Sequence, residues 1–165
     1  MATRKGIIVT AIILGAIAAG SSVVWLVPQN RASPVVVSDY GNELEGVKDR
    51  HALIMAAMDS NLKSMLNKTI SPDDFVSMAQ TSSSQTTSLI TELIESNPPP
   101  EWRPSYLNLD EALKKYNDYL TETISLANMM KNGISPTDLS NEMSKIDSMR
   151  NDTVSFIEKA NETRP

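Results

Sequence analysis

The sequence predicts an all-α protein, an up-down-up-down four-helix bundle made of two αα-hairpins and carried on a single N-terminal transmembrane anchor helix. Three observations lead to this. From residue 44 onward, apolar residues recur at three- and four-residue spacing in four successive stripes, the mark of helices that bury one face. Two near-identical stretches, Ile-Ser-Pro-Asp-Asp-Phe at 70–75 and Ile-Ser-Pro-Thr-Asp-Leu at 134–139, separate the first stripe from the second and the third from the fourth. The segment Gly6–Val27 carries no charge and, at about 1.5 Å per residue, is long enough to cross a hydrocarbon core of about 30 Å. An aromatic content of 5% and only six glycines also favour helices over a sandwich or barrel.

Residues 1–6 read as a cytoplasmic stub and 7–27 as an uncleaved signal-anchor of the cell membrane. Arg4 and Lys5 precede the span and Arg31 is the only nearby positive charge after it, so the N-terminus stays in the cytoplasm and the bulk of the chain is extracytoplasmic. The alternative is secretion after cleavage at Ala16-Ile17-Ala18. The apolar run resumes at Val23–Val27 with Trp25 at interfacial depth, which favours the anchor. Ala11, Gly15 and Ala19 recur every four residues and offer a close-packing stripe to another membrane helix. Residues 28–43, with Pro28 and Pro34 and no helical period, read as a tether, and 44–163 as the bundle.

The first stripe runs through Leu44, Val47, His51, Ile54, Met58, Leu62 and Met65, and the second through Phe75, Ala79, Ser82, Thr86, Leu89 and Leu93. Pro98-Pro99-Pro100 cannot continue the second helix. Tyr106, Leu109, Leu113, Tyr116, Leu120, Ile124, Ala127 and Met130 form the third stripe, which Gly133 is placed to end. The fourth carries Leu139, Met143, Ile146, Met149, Thr153, Phe156 or Ile157, and Ala160.

The repeated stretches read as helix entries. Ser71 and Ser135 are N-caps, Pro72 and Pro136 take the first helical position where no N–H is missed, and Asp74 and Asp138 sit near the positive end of the helix dipole, within reach of the cap N–H. Ile70 with Phe75, and Ile134 with Leu139, complete hydrophobic staples. Turns this short make each helix pair antiparallel.

Formal net charge is −5, and setting aside Arg4 and Lys5 leaves 13 basic against 20 acidic residues, or −7, from Arg31 onward. Nucleic acid is therefore not expected as a partner. The chain has no cysteine, which excludes disulfides, thiolate metal sites and a cysteine nucleophile. It has no H-E-x-x-H, no facing E-x-x-H pair, no G-x-S-x-G and no glycine-rich phosphate loop, so no catalytic residue and no cofactor is assigned and an enzyme is not expected.

His51, Met55 and Met58 place an imidazole and two thioethers along one helix face, a donor set suited to a soft ion such as Cu(I). The plainer reading is a core stripe in which His51 bonds to Tyr116. The run Thr81–Ser88 turns small hydroxyl residues inward, for close helix approach or a small pocket. Trp102 and Arg103, beside the triple proline, suit a membrane surface or a membrane-protein partner, and Trp102 equally suits a lid on the open end of the core. Asn67, Asn151 and Asn161 begin N-x-S/T sequons that permit N-glycosylation of an exported domain.

The function expected is that of an interaction or accessory subunit of a membrane complex, with Gly15, Ala19, Trp102 and Arg103 as contact residues. The alternatives are a small-ligand or copper-binding bundle and a sensor-like module. Four stripes that bury one another should fold without the span. Circular dichroism of a fragment beginning at Asp39 is expected to be strongly helical, and a mostly disordered spectrum would refute the bundle.

Overall fold

A computed structural model describes residues 39–165. The expected anchor, with Gly15 and Ala19, and the tether up to residue 38 lie outside the described residues. Four helices, α1 (Tyr40–Leu66), α2 (Pro72–Glu95), α3 (Arg103–Lys131) and α4 (Pro136–Glu162), pack against one another as a four-helix bundle. There is no strand among the described residues, and no helix among them is long and apolar enough to cross a membrane.

Helix α1 starts at Tyr40, inside the expected tether. The Asp39 carboxylate caps it by accepting from the Asn42 N–H at 3.0 Å. Its first turn holds no fully buried residue, so the apolar period becomes visible only at Leu44. The two repeated stretches do form matching caps. Ser71 Oγ accepts from the Asp74 N–H and Ser135 Oγ from the Asp138 N–H, both at 3.1 Å. The aspartates do not reach back to a cap N–H. Each accepts instead from the serine hydroxyl, at 2.7 Å in the first turn and 2.6 Å in the second. Ile70 and Ile134 are half-buried against the same core as Phe75 and Leu139, which closes both staples. Gly133 ends α3 at φ +88°, a conformation costly for other residues.

The core has two apolar regions. At the tip, near the two short turns, Met58, Leu62, Met65, Phe75, Ala79, Tyr116, Tyr119, Leu120, Leu126 and Ile146 pack together. At the base, Leu44, Val47, Leu89, Leu93, Tyr106, Leu109, Leu113 and Ala160 do the same, with half-buried Trp102 against them. All six residues of the expected α2 stripe are buried, as are six of the seven in α1.

Helix α3 is buried over more of its circumference than one stripe allows. Ser105, Ala112, Tyr119 and Leu126, at seven-residue intervals, form a second buried row beside the row of Tyr106, Leu113, Leu120 and Ala127. Two of the four are small, so the row leaves little trace in the hydropathy of the sequence. Helix α4 is the reverse case, with Ile146, Thr153 and Ala160 as its only fully buried residues.

Packing is closest between α3 and its neighbours α4 and α2, while the backbones of α1 and α4 stay farther apart than those of α1 and α2. That seam is bridged by side chains: Arg150 donates to both oxygens of Asp59 at 3.2 and 2.6 Å, Lys48 donates to Asn161 at 2.6 Å, and Arg164 pairs with Glu45. The Arg50–Glu92 pair across α1 and α2 and Lys131–Asp73 across α3 and α2 are consistent with antiparallel neighbours. Because the two serine caps share one geometry, Ser71→Ala and Ser135→Ala should each lower stability by about 1 kcal/mol in denaturant titrations. Two silent substitutions would show that the capped turns do not hold the hairpins.

Candidate functional site

Counting from the two turns puts His51, Thr86, Tyr116 and Thr153 at one height, between the tip and base cores. All four are fully or almost fully buried. Thr86 donates to the Ser82 carbonyl at 2.9 Å and Thr153 to the Met149 carbonyl at 3.1 Å, so each hydroxyl is satisfied one turn back on its own helix.

The His51 imidazole is not satisfied: neither ring nitrogen has a hydrogen-bond partner among the described residues. It does not bond to Tyr116, as the sequence suggested, but stands edge-on to that ring at 4.7 Å and 87°. Tyr116 turns its hydroxyl toward the Ile54 carbonyl at 3.5 Å and stacks on Tyr119 at 5.2 Å. Burial alone pushes the imidazole down to about 4, and burial together with the nearby Asp59 carboxylate raises both phenols well above the ordinary tyrosine value. The ring is thus held neutral at physiological pH, the form in which histidine ligates metal.

The expected copper ligands lie along one side of α1. Met55, one turn from His51, is half-buried, and Met58, two turns away, lies in the tip core with its sulfur taking a long 4.0 Å contact from the Asn61 amide. About 10 Å of helix rise separates the backbones of His51 and Met58. No group of three His, Cys, Asp or Glu side chains among the described residues is placed to hold a metal ion.

Two surface features stand out beyond the sequence expectations. The open α1–α4 seam forms a groove of about 340 Å³ with Leu62, Tyr119 and Ile146 among its apolar lining and the Asp59–Arg150 pair on its rim. At the base, the end of α2 and the start of α3 frame a cleft of about 310 Å³ lined by Leu93, Ile94, Pro98, Arg103, Tyr106 and Leu107. Ile94 is 66% exposed and Leu107 67%. Arg103 takes part in this cleft, its Nε donating to the Pro98 carbonyl at 3.3 Å.

Trp102 is half-buried against the base core and lies so close over Gly41 that a Cβ there would sit 3.1 Å from its ring. This is the lid that the sequence allowed as one of two readings. Tyr106 secures the same corner by donating to the Tyr40 carbonyl at 3.0 Å and to Glu43 at 2.7 Å. Of the three sequon asparagines, all exposed, Asn161 is engaged by Lys48.

The buried, unpartnered His51 makes stability depend on pH. Unfolded, it takes up a proton below about 6.5; folded, only below about 4. The folded state is therefore favoured in full above that window and loses up to about 3 kcal/mol as pH falls through it. His51→Leu, which removes both unpaired nitrogens at similar volume, should flatten this dependence in denaturant titrations at pH 7, 6, 5 and 4. An unchanged slope would place the imidazole in contact with water.

Comparison of the chain with protein-family models, with curated proteins and with solved structures finds no match.

Proposed function

We propose that this chain is a membrane-anchored accessory subunit whose extracytoplasmic bundle binds a membrane-protein partner through its base. The observation that carries the reading is the pair Ile94 and Leu107, two large apolar side chains about two-thirds exposed on one cleft. Isolated apolar side chains on a surface are ordinary, but two flanking a concave site mark a contact surface. Arg103 adds a fixed cation at the lip.

The base is also the end at which the chain enters α1, and so the end closest in sequence to Gly6–Val27. Gly15 and Ala19 offer the partner a close helix contact within the bilayer, and Trp102 contributes by keeping the base in shape. The reading involves contact and no catalysis.

The test is purification of the full chain from native membranes, with quantification of the proteins that accompany it. Ile94→Ser combined with Leu107→Ser should reduce recovery of a specific partner about tenfold, as loss of central apolar contacts does, while leaving the melting temperature within a few degrees of the parent. Gly15→Leu should weaken the same association. An association indifferent to the Ile94 and Leu107 substitutions would overturn the reading. Stoichiometric copper on the purified chain, lost with His51→Asn, would favour the metal-binding alternative.

A further inference from the structure

An N-x-T sequon is used only when its asparagine and the threonine two residues on can be reached together from outside, which is why acceptor sequons belong to surface loops. An α-helix works against this. Residues i and i+2 do not share a face, so an exposed asparagine in a helix carries its threonine round toward the packed side.

The three sequons of this chain stand in three different settings. Asn151-Asp152-Thr153 lies inside α4. Asn151 is exposed, but Thr153 is fully buried and its hydroxyl donates to the Met149 carbonyl at 3.1 Å. Asn161-Glu162-Thr163 closes the same helix, and both of its side chains are in use. Asn161 accepts from Lys48 of α1 at 2.6 Å, while the half-buried Thr163 accepts from Asn108 of α3 at 3.2 Å and donates to the Lys159 carbonyl at 2.7 Å.

Asn67-Lys68-Thr69 lies in the tip turn between α1 and α2, and all three residues are exposed. Lys68, at φ +59°, takes the chain off the helical path between the two sequon side chains. The Thr69 hydroxyl donates to the Ser64 carbonyl at 2.8 Å, at the surface, where exchange of that bond for another opens no core. About 40 Å of helix rise separates this turn from the start of α1, so a bulky group on Asn67 stays clear of the base cleft.

We infer that Asn67 accepts an N-linked oligosaccharide and that Asn151 and Asn161 are not used once the bundle has folded. The inference rests on the extracytoplasmic placement proposed above, because N-glycan acceptors belong to exported chains. The donor is a lipid-pyrophosphate-linked oligosaccharide. Asn67 Nδ2 forms a bond to the anomeric carbon of the sugar, the bond from that carbon to the phosphate oxygen breaks, the lipid pyrophosphate leaves with the electron pair, and one amide proton passes to a base of the transferase.

The test is peptide mapping by mass spectrometry of the full chain purified from native membranes. Location is read separately from Ser148→Cys, on the exposed side of α4 in a chain with no other cysteine, by labelling intact cells with a membrane-impermeant maleimide. Glycan occupancy at Asn67 should exceed that at Asn151 or Asn161 by about tenfold or more, since those two are reached only when α4 opens locally. Asn67→Gln should abolish the modification, Thr69→Ala should abolish it with the asparagine still in place, and Asn151→Gln should leave it unchanged. Labelling of Ser148→Cys with Asn67 found bare would overturn the inference and leave the membrane-anchored reading standing. Glycan on Asn151 or Asn161 in preference to Asn67, or glycan that survives Thr69→Ala, would overturn it equally. Absence of labelling would overturn both this inference and the extracytoplasmic placement.

Discussion

The structure depends on burial of α3 from two sides at once. Its two heptad rows, one through Tyr106, Leu113, Leu120 and Ala127 and one through Ser105, Ala112, Tyr119 and Leu126, cannot both be covered by a single neighbour. Helices α2 and α4 pack on it more closely than on anything else, and α1 completes the enclosure mainly by packing on α2. The capped turns then matter for register. By fixing where α2 and α4 begin, they set which residues of each helix meet α3 at each height. Loss of large apolar groups from α3 would be felt in both core regions, whereas loss at Ile146 is confined to the tip.

Between those regions the bundle tolerates polarity because most of it is satisfied locally. Thr86 and Thr153 return their hydroxyl protons to carbonyls four residues back, which spares α2 and α4 from needing partners across the core. His51 is the exception, compensated by packing against an aromatic edge and not by a hydrogen bond. The Tyr116–Tyr119 stack carries this aromatic packing from the centre of the bundle to the α1–α4 groove.

Much of the fold was legible because its signals are local. The Ser-Pro-x-Asp entries, the triple proline and Gly133 punctuate the chain at the observed ends of the helices, and the α2 stripe of Phe75, Ala79, Ser82, Thr86, Leu89 and Leu93 matches its buried residues. What escaped was non-local. The second row of α3 hides behind Ser105 and Ala112, whose burial is decided by the neighbouring helices and not by their own hydropathy. The start of α1 at Tyr40 rests on one side-chain cap at Asp39. At the waist, residue types alone placed His51 inward but could not tell a hydrogen bond from an edge-on ring contact. The exposure of Ile94, Leu107 and Leu53 was equally out of reach, since an apolar residue off the main stripe reads as noise until its neighbours are known.

The open α1–α4 seam has a consequence for the response to salt. Helix α4 is held by its close packing on α3, with Leu139, Met143, Met149, Phe156 and Ile157 half-buried against the core, whereas its tie to α1 is ionic and partly exposed. Salt that screens Arg150–Asp59 and Arg164–Glu45 therefore weakens this seam while leaving the contact between α3 and α4 in place. A bundle loosened in this way parts along the seam, uncovering the Tyr119 ring in the groove while the α3–α4 hairpin stays packed.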